Sequence, residues 1–542
     1  LEFKKYAMEN LGWMEWIIGL IVGGAVSFVA NRYLKYGFLY YLSILLMVAI
    51  AIGGIFGWDL LLKQSMGLWL PLFFMHTVIY GLVDYHKDTG KPSKVFEVKL
   101  KVRGRPLVLG NIRRGVSVMA SAGSGKTESV IYGFLEHFKK EGFSGVIHDY
   151  KDFEITEMAC PLWKDQKVPL KIVSFGPIYH RVNPIAPRYL PDEESVHEVS
   201  RVLLENLMEH RDSDENSTSR FFKDAAEGLI SGMIWRLKTE YPDFCTLPHV
   251  MALYQQLGTK SLIKFLKGNL TSRAMADAFI SGVGSERQTA GVMSTLANAI
   301  KKISTRKIFM VLSADEIPLD INNEKHPSVI ALVNNPQKDA SLSPVIATIM
   351  HTISKQMSRR NRKPSFMLLE EASTLRLLNM HRIPATLRSY DIVSVYVLQD
   401  KVQNDMMYGE KASKAILSNL SYQFFGKVND PDTARYYERF FELVKMPTRS
   451  VSKSSGLNLE RRITEGEKEV SKRRAEVFFR LKQGEFVVFA DGKDRKVQFR
   501  RPEIPKGLPK PFEIKEGDLE RHYLKVHREV RSIYSQSSIV ND

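Results

Sequence analysis

Between Gly115 and Thr127 the chain reads Gly-Val-Ser-Val-Met-Ala-Ser-Ala-Gly-Ser-Gly-Lys-Thr, an apolar run, a turn of small residues and a Lys-Thr pair. A turn of that kind at the start of a helix aims successive backbone N–H groups at an anion, with the helix dipole behind them. The pattern G-x-x-x-x-G-K-[ST] is met at Gly125, Lys126 and Thr127, while Ala120 stands where the first glycine is usual. The N–H groups from Ala122 to Thr127 can still point at phosphate oxygens despite that change. Lys126 is placed to reach β- and γ-phosphates, and the Thr127 hydroxyl to ligate Mg2+. The expected cradle is Ala120, Ser121, Ala122, Gly123, Ser124, Gly125, Lys126, Thr127 and Glu128. The rival reading is an ordinary Gly-rich turn.

A nucleotide site of this type also needs an acid at the tip of a second apolar strand. Phe366-Met-Leu-Leu-Glu370-Glu371 supplies two. Glu370 reads as the metal-side acid and Glu371 as the general base, an assignment the sequence leaves interchangeable. Apolar runs ending in acids are common by chance, and this one gains its weight from the phosphate loop. Ile392 to Leu398 runs into Gln399 and Asp400, which sets Gln399 at a neighbouring strand tip as a sensor of the γ-phosphate. A solvated Gln at a strand end fits that pattern equally well.

These side chains must be positioned by strands. Ser144 to Asp149, with Lys151 just beyond, Lys171 to Phe175, Ile308 to Ser313, Val329 to Val333 and Ile392 to Leu398 are short, β-rich and separated by helical stretches. Such alternation predicts an α/β fold with a mostly parallel sheet, ligands binding at the strand C-termini. The helix after the phosphate loop is expected from about Glu128 to Lys140. Asp192 to Arg211, Ser219 to Tyr241, Pro248 to Lys267 and Ser272 to Lys302 carry helical spacing, for example Val196, Val199, Leu203 and Leu207. They predict an inserted all-α subdomain over residues 188–303, between residues 91–187, which hold the phosphate loop, and 304–502, which hold the acid pair. Its first part has an acidic face, Glu193, Glu194, Glu198, Glu205 and Glu209, unsuited to gripping DNA. Pro447 to Arg474, polar and of mixed charge, reads as a loop or weak helical excursion. Glu485 to Ala490 and Arg495 to Phe499 read as a hairpin across Asp491-Gly492, and residues 503–542 as a basic tail.

Lys and Arg number 77 against 60 Asp and Glu, a net charge of +17 that favours an anionic partner such as nucleic acid or anionic lipid. Two cysteines, Cys160 and Cys245, exclude a disulfide framework and a Cys-rich metal site. Residues 1–90 read as a membrane anchor of two or three helices. Tyr36 to Trp58 and Gln64 to Val83 are uncharged runs of 23 and 20 residues, and Trp16 to Ala30 is one of 15. A bilayer core needs about 20 apolar residues. Trp13, Trp16, Tyr33, Tyr36, Trp58 and Tyr85 crowd the ends of the runs, where amphipathic rings favour the headgroup level. Arg32 and Lys35 make the first loop the more cationic, which with three spans places it and everything after Asp84 on the cytoplasmic side.

The stretches ASAGSGKTES (Ala120 to Ser129), DYKDFEITEMA (Asp149 to Ala159), NPIAP (Asn183 to Pro187), CTLPHV (Cys245 to Val250), LDINN (Leu319 to Asn323) and NNP (Asn334 to Pro336) run in order along the chain. They continue with EEAST (Glu370 to Thr374), RSY (Arg388 to Tyr390), LQD (Leu398 to Asp400), YGEKASKAILSN (Tyr408 to Asn419) and KQGEFVV (Lys482 to Val488). In these the chain resembles the TraG/TraD-type coupling proteins of type IV secretion and conjugation, most closely the TraG-like branch of conjugative transposons. The resemblance implies a RecA-like P-loop NTPase anchored in the bacterial inner membrane, multi-pass, with its ATPase domain cytoplasmic and a hexameric assembly. It implies ATP and Mg2+ as cofactors, Lys126 and Thr127 as phosphate and metal contacts, Glu370 and Glu371 as the acidic pair, and Gln399 as the sensor. Arg388 or Arg287 would serve as a finger reaching a neighbouring subunit's nucleotide. The implied partners are single-stranded DNA with its relaxase and the secretion channel components. The departures are Ala120 for Gly and Glu370 for Asp.

Three other functions share parts of this pattern. A coupler for protein export has the same fold, and no residue separates it from a DNA coupler. A cargo receptor that binds nucleotide with little hydrolysis is motivated by Glu370. A chromosome translocase of the FtsK kind is disfavoured by the helical insertion and by the lack of a C-terminal winged-helix pattern.

Overall fold

Short apolar β-branched runs, buried on both faces, build the centre of the molecule. A computed structural model describes residues 94–542 except 165–166, 209–216, 283–284, 454–460 and 541–542. In chain order its strands are β1 (Val98–Leu100), β2 (Leu107–Leu109), β3 (Val116–Met119), β4 (Ser144–Asp149), β5 (Leu170–Val173), β6 (Val329–Val333) and β7 (Ser365–Leu369). They continue with β8 (Ile392–Leu398), β9 (Tyr422–Phe425), β10 (Leu443–Lys453), β11 (Arg461–Ser471), β12 (Glu485–Ala490) and β13 (Lys493–Gln498). Among the described residues nine of them form one sheet in the order β13-β12-β9-β3-β8-β7-β4-β6-β5. From β9 to β5 every neighbouring pair is parallel, and β12 and β13 extend the sheet antiparallel. Every residue of β3, β4, β6, β7 and β8 is buried, as expected of a parallel sheet covered on both faces.

Register decides what meets at the strand tips. Met119 of β3 lies opposite Leu398 of β8 and Phe425 of β9, Leu369 of β7 opposite Tyr396 of β8, and His148 of β4 opposite Leu369. The residues that follow these four central strands therefore emerge along one edge: the small-residue loop, Gln399, the two glutamates and Tyr150-Lys151. Gly145 in β4 is required for this packing, since a Cβ there would meet the Phe366 ring at 2.4 Å.

Between the first and second halves of the sheet lie the helices Glu193–Leu207, Ser217–Glu240, Leu247–Gln256, Thr259–Lys267, Leu270–Met275, Asp277–Ser281 and Glu286–Ile303. Side chains of Asp192, Thr246, Asn269 and Ser285 accept from N–H groups of the first turns and start four of them. The stretch expected as one helix from Pro248 to Lys267 is two, interrupted at Leu257-Gly258. The stretch from Ser272 to Lys302 is likewise divided.

Three expectations from the sequence are corrected, and that of the helix after the phosphate loop is refined. Ile308 to Ser313 is not a strand but part of the helix Arg306–Leu312, started by Thr305 Oγ1 accepting from the Ile308 N–H at 3.3 Å. Pro447 to Arg474 is largely the antiparallel ribbon β10–β11, eleven residues on each side. The helix after the phosphate loop opens with a π-helical turn, Thr127–Ile131, in which the Tyr132 N–H donates to the Thr127 carbonyl, before the α-helix Tyr132–Lys140. Residues 503–542 hold seven Lys and Arg against seven Asp and Glu, so the segment is not basic. Most of it is the helix Glu516–Val540, which buries Leu519, Val526, Val530 and Ile533. Glu529 there meets His249 Nε2 at 3.2 Å, fastening the helix to Leu247–Gln256. Among the described residues no helix is long and apolar enough to cross a membrane; the three apolar runs read from the sequence as an anchor lie outside the described residues.

Candidate nucleotide site

Sequence order at the end of β3 builds a cradle. Gly123 and Gly125 take φ values of +72° and +85°, a region that costs other residues strain. A Cβ at Gly125 would crowd Gln483 Cγ at 3.2 Å, Gly484 N at 3.3 Å and Ser129 Oγ at 3.3 Å. The Ser121 N–H donates to the Lys427 carbonyl at 2.7 Å, and the Ser124 N–H turns inward to the Ser121 carbonyl at 3.3 Å, so neither is aimed at a ligand. Ala122 and Gly123 are exposed, while Ser124, Lys126 and Thr127 are buried. Glu128 pairs with Arg501 at 3.2 Å.

Ala120 has an answer in Gly426 on the adjoining strand end. A Cβ at Gly426 would lie 2.5 Å from the Ala120 Cβ and 2.8 Å from the Phe486 ring. The alanine is thus accommodated by a glycine across from it, on a backbone where Ala120 itself has no positive φ. Gly426→Ala should destabilise the fold by about 1–3 kcal/mol through overpacking. Adding Ala120→Gly should restore part of the lost thermal stability, and strictly additive melting shifts would refute the pairing.

Lys126 Nζ donates to the Ala120 carbonyl at 2.5 Å and lies 3.9 Å from Glu371 Oε1. Burial holds its pKa below the usual lysine value, with the Glu371 charge opposing. Glu371 sits just past the tip of β7 in the left-handed region at φ 45°, ψ 55°, a strained conformation of the kind that gathers at functional sites. Gln399 Nε2 donates to the same Glu371 Oε1 at 3.2 Å. Glu370 is fixed differently: its Oε2 accepts from the Tyr150 N–H at 3.1 Å and its Oε1 meets Lys151 Nζ at 3.2 Å. Burial, followed by the Asp149 charge, pushes the Glu370 carboxyl above the usual range.

The tips of β4 and β7 are tied together by His148, whose Nδ1 lies 2.9 Å from the Glu370 carbonyl. A carbonyl only accepts, so Nδ1 carries the proton. Burial pushes the pKa of this imidazole down to about 4, and it stays neutral near pH 7. Asp149 Oδ2 accepts from Thr156 Oγ1 at 2.6 Å, the Thr156 N–H at 2.7 Å and the Ile155 N–H at 3.1 Å. It holds the turn that carries Lys151.

The structure thus brings together Lys126, Thr127, Glu370, Glu371 and Gln399 at one sheet edge. It does not bring Arg388 there. That residue ends the helix Ile383–Arg388 just before β8 begins, whereas Gln399 follows its other end. Seven residues of strand, about 3.3 Å each, separate the two edges. Arg287 is exposed on the helix Glu286–Ile303. Lys151, adjacent in sequence to a strand tip, had no role in the motif reading, although its position beside an acid-bearing strand was the available signal.

The donor set fits a nucleotide with Mg2+. A small-residue cradle with positive-φ glycines, a buried ammonium beside it, a hydroxyl at Thr127 and two carboxylates suit a cation that is bound through one or two carboxylates plus phosphates and water.

The family model described as "Type IV secretory system Conjugative DNA transfer" matches residues 87–477. The chain belongs to this family. The bacterial conjugative coupling protein TrwBΔN70 in its unbound form is 13% identical with a TM-score of 0.59, over 78% of this chain and 92% of that one. TrwB in complex with the non-hydrolysable ATP analogue ADPNP is 13% identical with a TM-score of 0.59, over 80% and 95%. TrwB in complex with ADP and Mg2+ is 13% identical with a TM-score of 0.58, over 79% and 94%. At that identity the likeness is one of fold: an α/β arrangement with a mostly parallel sheet and an extensive helical insertion. No curated protein matches the sequence.

Proposed function

We propose that this chain is a coupling ATPase, of the TraG-like branch, that recruits relaxase-bound single-stranded DNA and drives it to a type IV secretion channel. Membership of the conjugative DNA transfer family supports the role. The observation that carries the chemistry is the convergence of Lys126, Gln399 and Lys151 on one oxygen, Glu371 Oε1, at 3.9, 3.2 and 3.0 Å beside the phosphate loop. In this reading the loop and Lys126 hold the β- and γ-phosphates. Glu371 takes the proton of the attacking water, and Gln399 couples Glu371 to the terminal phosphate. A divalent cation held at Thr127 and Glu370 would supply charge neutralisation on the phosphate oxygens. Residues 1–90 anchor the chain in the inner membrane as two or three helices, with nucleotide-binding segments 91–187 and 304–502 and the all-α subdomain 188–303 in the cytoplasm. Arg388 or Arg287 acts on a neighbour's nucleotide in a hexamer. The distance of Arg388 from its own chain's strand tips accords with action in trans.

A receptor that binds nucleotide with little turnover is favoured by one feature, the ammonium held against the base Glu371. ATP turnover by the full chain in detergent, with and without single-stranded DNA, separates the readings. Turnover rising with DNA and falling with salt supports the DNA coupler. Tight nucleotide binding without turnover, even with DNA and at high protein concentration, would transfer the weight to the receptor.

A further inference from the structure

Lys151 reaches from the end of β4 across to the acid pair. Its Nζ is 3.0 Å from Glu371 Oε1, 3.2 Å from Glu370 Oε1 and 3.7 Å from Glu154 Oε2. The lysine side chain is 36% exposed, whereas those of Glu370 and Glu371 are 1% and 2% exposed. The ammonium therefore caps two carboxylates that solvent barely reaches. Neither the phosphate-loop pattern nor the strand-tip acids call for a second lysine here.

We propose that Lys151 is a catalytic residue that transfers its charge between two anions, resting on the acid pair in the nucleotide-free protein and on the terminal phosphate of a bound nucleoside triphosphate. This rests on the nucleotide reading above.

Three observations lead to it. In the nucleotide reading Glu371 accepts a proton from water, and an ammonium 3.0 Å from its Oε1 competes with that water, so turnover is served by Lys151 leaving. An ammonium 3.2 Å from Glu370 Oε1 and a divalent cation compete for this carboxylate, because like charges that close repel each other. The backbone around Lys151 is pinned. The Tyr150 N–H donates to Glu370 Oε2, the Asp152 N–H donates to the Asn334 carbonyl at 3.1 Å, and Asp149 fastens Ile155 and Thr156. Only the flexible four-carbon stem is free to swing. Lys126, which marks where the phosphates lie, shares the same Glu371 oxygen, so the nearest new anion for the released ammonium is the terminal phosphate. A diphosphate lacks that group, and Lys151 should therefore distinguish the two nucleotides.

The test measures binding of ADP and of a non-hydrolysable ATP analogue, each with Mg2+, to the full chain by fluorescence competition. It also measures binding of Mn2+ alone to the nucleotide-free protein by electron paramagnetic resonance. Lys151→Ala and Lys151→Gln should weaken the triphosphate analogue about tenfold, the scale of one charge-assisted hydrogen bond, while ADP affinity stays within about twofold. Unchanged ADP affinity also shows that the variants fold, and Gln keeps a donor to the acid pair where Ala does not. Mn2+ alone should bind both variants several-fold more tightly, because its competitor on the carboxylates is gone. Equal losses for both nucleotides in both variants, or unchanged Mn2+ affinity, would overturn the proposal and leave Lys151 a structural bridge. Failure of the unmodified chain to bind either nucleotide would instead remove the nucleotide reading, and this proposal with it.

Discussion

Lys126→Ala should abolish nucleotide binding at concentrations that saturate the unmodified protein, and turnover should fall about 10²–10³-fold or more. Lys126 is 6% exposed, and among the described residues its ammonium meets the Ala120 carbonyl at 2.5 Å and Glu371 at 3.9 Å. A buried ammonium in that position is poorly compensated, and burial lowers its pKa. A polyphosphate arriving at the cradle supplies the missing negative charge. Its removal acts twice: the cation that attracts phosphate is lost, and Glu370 and Glu371 are left with Lys151 alone to offset their charge at the point where phosphate must enter. Equilibrium binding of a fluorescent nucleotide and steady-state phosphate release check this. Normal activity in the variant would remove the phosphate-loop assignment.

Glu371→Gln should separate binding from chemistry. Turnover should drop about 10²–10⁴-fold, the usual contribution of a general base, while nucleotide affinity is retained or rises. Affinity is expected to hold because one negative charge disappears from a site that must admit an anion. Gln has the same length, its amide oxygen can accept from Gln399 and Lys151, and it meets the same φ of 45° that Glu tolerates. Single-turnover measurements beside equilibrium binding distinguish the two effects. Equal losses in both would make Glu371 a binding residue, and an unaffected rate would pass the role of base to Glu370.

Much of this site is legible in the sequence because its parts are short, contiguous signals. The small-residue loop, the Lys-Thr pair and the acids at a strand tip each depend on neighbours in sequence, and a parallel strand buried on both faces announces itself as an unbroken apolar run. What stayed hidden depends on distant contacts. Gly426 explains Ala120 only once β9 is known to lie beside β3. Lys151 gains meaning only when β4 is known to adjoin β7. The run Ile308 to Leu312 reads as a strand because all five residues are apolar, and a helix buried on every side, as this one is, shows no amphipathic period. The ribbon β10–β11 was missed for the opposite reason, as its polar, mixed-charge sequence lacks the alternation that marks a half-buried strand. The C-terminal helix did carry a signal, Leu519, Tyr523, Val526, Val530 and Ile533 at helical spacing, which the surrounding charges obscured.

The position of β3 in the sheet also sets a timetable for making the protein. Its two hydrogen-bonded neighbours are β8 and β9, with Met119 opposite Leu398 and Phe425. At about 5–20 residues per second, the roughly 300 residues between β3 and β9 take on the order of 15–60 s to synthesise. Until β8 and β9 are made, the two edges of β3 have no native strand to pair with, and the loop of small residues lacks the wall that Gly426, Gln483 and Gly484 supply. Unpaired strand edges make the nascent chain aggregation-prone until its later strands emerge from the ribosome, and a message truncated before β8 would yield a polypeptide with the full phosphate-loop motif but no folded cradle.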